Sequence, residues 1–208
     1  HPNILPIHEL GRDGDGLPQL AMKLVRGQVW ESLIYYDRDL SFPDFLDRHL
    51  PIFVSVCQAV AFTHSRGIIH RDIKPSQVMV GDFGEVLLMD WGLAMIYDED
   101  VAKETLAELL ATRIAATRET SVNPAGTPSY MAPEQTDPEC TRLAAETDIY
   151  LLGGVLYYLL TGEVPHRGDD TQVAYLCAMM GEVQPPSERA PSRKIPPDLE
   201  ELAMRCLE

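Results

Sequence analysis

Basic residues are scarce in this 208-residue chain: 17 Lys and Arg stand against 32 Asp and Glu, a formal net charge of −15 at pH 7. A general nucleic-acid surface needs a basic stripe, and the chain has none. The excess acid reads as a solvated surface. Cys57, Cys140, Cys177 and Cys206 form no CxxC pair. That excludes a zinc ribbon or a disulfide framework and predicts reduced, mostly buried thiols of a cytoplasmic protein. No apolar run reaches the roughly 18 residues of a membrane span, and the first residues lack a signal-peptide pattern. The longest apolar stretch, residues 149–160, reads as a buried helix. Internal repeats and low-complexity tracts are also missing. What is present is a 45 % apolar composition, enough for a substantial core.

The apolar segments 4–10 and 17–25 flank Gly11-Arg12-Asp13-Gly14-Asp15-Gly16, a turn signal that predicts a β-hairpin. Pro51 is placed to open a helix over 52–64, with Ile52, Val56, Ala59, Val60 and Phe62 at helical spacing and Gly67 beyond its end. Residues 78–80 and 86–89 predict two strands around Gly81-Asp82-Phe83-Gly84-Glu85. Residues 98–110 carry the pattern of a short acidic amphipathic helix. Further helices are expected over 148–160, closed by Gly162 and Pro165, over 171–181 and over 199–207, with a proline-rich loop at 184–197.

The chemistry is concentrated in three runs: His70-Arg71-Asp72-Ile73-Lys74-Pro75-Ser76-Gln77, then Asp90-Trp91-Gly92, then Ala132-Pro133-Glu134. An acid, a lysine two residues on, an amide five residues on and a second acid after an apolar strand form a constellation suited to phosphoryl transfer. Such chemistry needs positioning and charge neutralisation more than covalent help. Asp72 can orient a hydroxyl, Lys74 can neutralise a γ-phosphate, and Gln77 with Asp90 can hold Mg²⁺ through hard oxygen donors.

In this order and spacing the runs resemble the catalytic-loop, DFG and APE motifs of eukaryotic-type protein kinases. The Met89-to-Ala94, Tyr130-to-Gln135 and Ile149-to-Gly153 runs look most like the bacterial serine/threonine branch. The resemblance implies an α+β, protein-kinase-like fold: residues 1–27 would be small-lobe strands and hinge, and 28–208 a large lobe cut short at its C-terminal end. It implies ATP and Mg²⁺ as cofactors and protein serine or threonine hydroxyls as substrates, with no nucleic acid and no membrane segment. Met22 would be the gatekeeper, and Lys23, Val25 and Met79 further nucleotide contacts. Thr127, in a segment that resembles the substrate-docking loop, would hydrogen-bond to the Asp72–Lys74 pair. Asp148 would hold the catalytic-loop backbone. Glu134 would pair with an arginine beyond residue 208. The glycine-rich loop, the phosphate-pairing lysine and the glutamate of the third helix would precede residue 1, so this chain by itself is expected to be inactive. Arg71 marks kinases whose activation segment is ordered by phosphorylation, which makes Thr112, Thr117, Thr120 and Ser121 candidate phosphosites.

Two departures stand out. Trp91 replaces the DFG phenylalanine and can still pack. Gln77 replaces an asparagine, and its extra methylene moves the amide oxygen by over about 1 Å. This keeps open a second class, a catalytically impaired interaction or scaffold module. A third class, a small-molecule phosphotransferase, is disfavoured by the docking-loop segment.

Overall fold

The computed structural model describes residues 1–98, 100, 116–117, 123–140 and 143–208. Its first element is the expected hairpin, β1 (Ile7–Arg12) against β2 (Pro18–Met22), antiparallel with Gly11 opposite Gln19. Asp13 shapes the turn by accepting the amides of Asp15 and Leu17 on Oδ1. The apolar segment from residue 4 overruns this hairpin because its first residues serve another sheet. The Leu5 amide donates to the Leu88 carbonyl, and the Leu88 amide donates to Asn3.

Strand β3 (Gly27–Val29) leads into α1 (Trp30–Tyr36) and α2 (Phe42–His64), and β4 (Ile68–Ile69) follows. Then β5 (Val78–Gly81) and β6 (Val86–Leu88) form the predicted hairpin, with β3 on the free edge of β5 and Val29 opposite Met79. β7 (Met95–Ile96) pairs antiparallel with β4 and parallel with β8 (Ala116–Thr117). Four helices complete the chain: α3 (Ala145–Thr161), α4 (Thr171–Met180), α5 (Pro186–Arg189) and α6 (Pro197–Cys206). The mixture of helices with small, mostly antiparallel sheets is the α+β architecture expected. The predicted acidic helix falls, apart from Asp98 and Asp100, outside the described residues, as do Thr112, Thr120 and Ser121.

Helix α2 corrects the expectation at Pro51, which lies inside the helix and does not open it. Ser41 is the N-cap, its Oγ accepting the Asp44 amide, and Pro43 occupies the first turn, where a missing N–H costs nothing. The Pro51 ring removes the hydrogen bond to the Asp47 carbonyl, but both residues lie on the solvent side. The opposite face buries Phe45, Leu46, His49, Ile52, Phe53, Val56 and Val60, whose burial outweighs the roughly 3 kcal/mol penalty of an interior proline. Among the described residues, α2 is also the helix whose length and mean hydropathy, 1.2, would suffice to cross a membrane. Here it packs on α3, β4 and β6.

Helix α3 is buried on nearly every side, from Thr147 to Thr161. A Cβ on Gly153 would sit 2.6 Å from the Cys206 Cβ, so this glycine lets α6 close onto α3. Gly162, at φ 78, ends α3 and returns its amide to the Tyr158 carbonyl. The helix begins at Ala145, three residues before Asp148, and Thr147 Oγ1 accepts the amide of the Ala144 N-cap. The four cysteines are only partly buried, which corrects the expectation of buried thiols. The proline-rich 184–197 segment contains the single turn of α5.

Candidate active site

The segment after β4 is held in an unfavourable backbone shape by partners from distant parts of the chain. Arg71 has φ 71, a left-handed conformation that costs a non-glycine residue on the order of 1–3 kcal/mol. Its amide donates to Asp148 Oδ1 at 2.9 Å, and its carbonyl accepts from Gln135 Nε2 at 2.8 Å. Asp148, fully buried in the first turn of α3, also accepts the His70 amide at 2.8 Å on Oδ2, and His64 Nε2 lies 2.9 Å from that oxygen. A buried carboxylate with this many donors is satisfied, and its donors are two consecutive backbone amides of the loop.

His70 is fully buried and joins this loop to the strand that carries the second acid. Its Nε2 lies 2.9 Å from the Met89 carbonyl and its Nδ1 accepts the Asp72 amide at 3.3 Å, which places the proton on Nε2. Trp91 packs edge-on against it with ring centroids 4.6 Å apart. His70 therefore acts as a brace, in keeping with the sequence reading that left it out of the chemistry.

Asp72, Lys74 and Thr127 close into a ring. Thr127 Oγ1 donates to Asp72 Oδ1 at 2.6 Å, Lys74 Nζ donates to Asp72 Oδ2 at 2.9 Å, and Lys74 Nζ also donates to Thr127 Oγ1. Gln77 reaches the same carboxylate, with Nε2 3.3 Å from Asp72 Oδ2, and lies 2.9 Å from Asp90 Oδ2. Asp90 is a second left-handed residue, φ 56, whose Oδ1 accepts the Gly92 amide at 3.3 Å. Five predicted residues from three separated segments thus share one hydrogen-bonded cluster. A carboxylate and an amide oxygen are hard donors of the kind Mg²⁺ takes, so Asp90 and Gln77 fit a divalent cation, provided the Gln77 amide turns its oxygen inward.

The four nucleotide-side candidates sit on the β3 side of the molecule. Met22 ends β2 and is exposed, Lys23 Nζ lies 3.6 Å from Glu85 Oε1, and Val25 is half-buried in the connection to β3. Met79 lies opposite Val29. Strand β5 links this group to the cluster, since Gln77 stands at its entrance and Met79 within it.

Sequence reasoning passed over Gln135 and Asn123. Gln135 is fully buried: its Oε1 accepts the Ala132 amide at 3.0 Å, and its Nε2 donates to the carbonyls of Arg71 and Ala125. It therefore ties the docking-loop segment to the catalytic loop. Flanked by Glu134, Thr136 and Asp137, it gave no local signal in the sequence. Asn123 Oδ1 accepts from the Arg71 guanidinium at 2.6 Å. Burial lowers the Arg71 pKa, and the Asp148 charge works against that shift. Glu134 accepts from Thr147 Oγ1 at 2.8 Å.

Relatives match the chain in sequence over its full length. It is 33 % identical over 216 residues to the serine/threonine-protein kinase PknD of Protochlamydia amoebophila, covering 100 % of this chain and 22 % of that protein. Proteins of the same name from Chlamydia felis and Chlamydia trachomatis are each 32 % identical, again across 100 % of this chain and 22 % and 23 % of their own lengths. The chain thus spans less than a quarter of these relatives. The family model described as protein kinase domain matches residues 1–208, and the chain belongs to that family.

Proposed function

We propose that this chain forms the catalytic-loop region of a protein that transfers the γ-phosphoryl group of ATP to serine or threonine hydroxyls of proteins. The observation that carries this reading is the Asp72–Lys74–Thr127 ring, which joins the catalytic loop to the docking-loop segment. Asp72 Oδ1 accepts from Thr127 and Oδ2 from Lys74 and Gln77. A carboxylate has about four acceptor positions, so one remains to orient an incoming hydroxyl. Lys74 supplies a positive charge beside that position, suited to a γ-phosphate. Asp90 and Gln77 would hold Mg²⁺, which supplies charge neutralisation on the phosphates when bound. The backbone of Lys23 to Gly27 would meet adenine, with Met22 and Met79 beside it. The names of the chlamydial relatives support serine and threonine as acceptors.

The test, made on the full-length protein that contains this chain, is phosphoryl transfer from labelled ATP to a serine- and threonine-containing protein such as casein. Asp72→Asn should lower the rate by roughly a thousandfold, within the range for loss of a positioned acid or base. Thr127→Val should raise KM for the protein acceptor more than KM for ATP. Undiminished transfer in Asp72→Asn would refute the assignment.

A further inference from the structure

We propose that Gln77 is a latch across the two carboxylates of the active site: its amide nitrogen ties Asp90 to Asp72, and a divalent cation binds by displacing it. The inference rests on the phosphoryl-transfer reading above and concerns how that site is loaded. Gln77 Nε2 lies 2.9 Å from Asp90 Oδ2 and 3.3 Å from Asp72 Oδ2. Carboxylates only accept, so the NH₂ end of the amide faces both of them and the oxygen faces away. The extra methylene relative to asparagine, over about 1 Å of reach, lets one nitrogen stand between both acids.

The latch turns an N–H, the positive end of the amide dipole, towards the oxygen a cation would share. Asp90 Oδ1 is engaged by the Gly92 amide, and Oδ2 is the oxygen that Gln77 holds. Asp90 is exposed and has a left-handed backbone, so these two bonds set the direction of its side chain. Binding a cation therefore exchanges two hydrogen bonds to charged acceptors for one amide-oxygen ligand. Gln77 lowers the affinity for free cation and keeps the acids aligned before it arrives.

The experiment is a titration of the protein with Mn²⁺ alone, without nucleotide, with free Mn²⁺ measured by electron paramagnetic resonance. Gln77→Met keeps the side-chain length but can neither donate nor offer a hard oxygen. The latch requires its Mn²⁺ dissociation constant to fall by about three- to tenfold, the lost hydrogen bonds outweighing the lost ligand. Gln77→Ala should shift the same way and serves if the methionine variant does not fold. An unchanged or raised dissociation constant in these variants overturns the latch and leaves the phosphoryl-transfer reading standing. Asp90→Asn should weaken Mn²⁺ binding at least about tenfold. If it binds as the parent does, the cation site itself is misplaced, and both inferences fall together.

Discussion

The catalytic loop and the first hairpin are both built from short extended segments and turns, yet they are held in opposite ways. Residues 70–77 are pinned from three distant places: Asp148 on a helix, itself braced by His64, and Thr127 and Gln135 in the docking-loop segment. The hairpin of β1 and β2 is held mainly by its own ladder, and Ile7, Leu17, Leu20, Met22 and Leu24 stand exposed, Leu24 at 83 %. Its ties to the rest run through the segment before it, where the Leu5 amide and the Asn3 side chain bond β6, and through the Lys23–Glu85 pair. Among the described residues, strain is found only on the pinned side, at Arg71 and Asp90, because a left-handed non-glycine residue persists only where several partners over-determine it.

The contrast can be broken most directly at Asp148. Asp148→Ala leaves two backbone amides of the loop without their acceptor and should destabilise the protein by about 3–5 kcal/mol in urea unfolding, the range for disrupting a buried charged network. A loss under about 1 kcal/mol would erase the distinction between the two regions.

Acid sharpens it. His166, fully buried against Tyr150, has its pKa lowered by burial from 6.5 to about 4. Its amide bonds the Ser129 carbonyl, which places it under the docking-loop segment. Between those two values the unfolded chain binds a proton that the folded chain refuses, so stability falls as pH drops from 6.5 towards 4 and this contribution then levels off. The full effect is about 3 kcal/mol. His49, also shifted down chiefly by burial, adds in the same direction. Thermal unfolding at pH 7.5, 5.5 and 4.5 should show a shallower decline for His166→Phe than for the parent protein. Equal declines would remove His166 from the account.

The smallest effect belongs to the hairpin side. Lys23→Ala removes an ion pair with both side chains well exposed, and its melting curve should overlay the parent's within about 0.5 kcal/mol.

Legibility in the sequence followed contiguity. Asp72, Lys74 and Gln77 lie within six residues, so their spacing exposed them, and the β5–β6 hairpin showed through its turn between apolar runs. Gln135 was not legible, because its partners at Arg71 and Ala125 are chosen by the folded chain and leave no local pattern. Pro51 misled for the reverse reason: its local preference is to open a helix, and the apolar face that runs through it prevailed. Asp148 was foreseen as the acid behind the loop but also taken as the start of its helix. The helix starts at Ala145, and that carboxylate is occupied by the catalytic loop.

The bonds that define the site also set when it can exist. Asp148 lies 77 residues from Arg71, Gln135 lies 64 away, and Thr127 is 55 from Asp72. Each contact closes a long stretch of chain, and the entropy of that closure must be met before the bond contributes anything. The left-handed step at Arg71 is unfavourable until Asp148 and Gln135 arrive. During refolding, helices such as α2 and the local hairpins can form early, while the catalytic geometry is acquired only after α3 has docked.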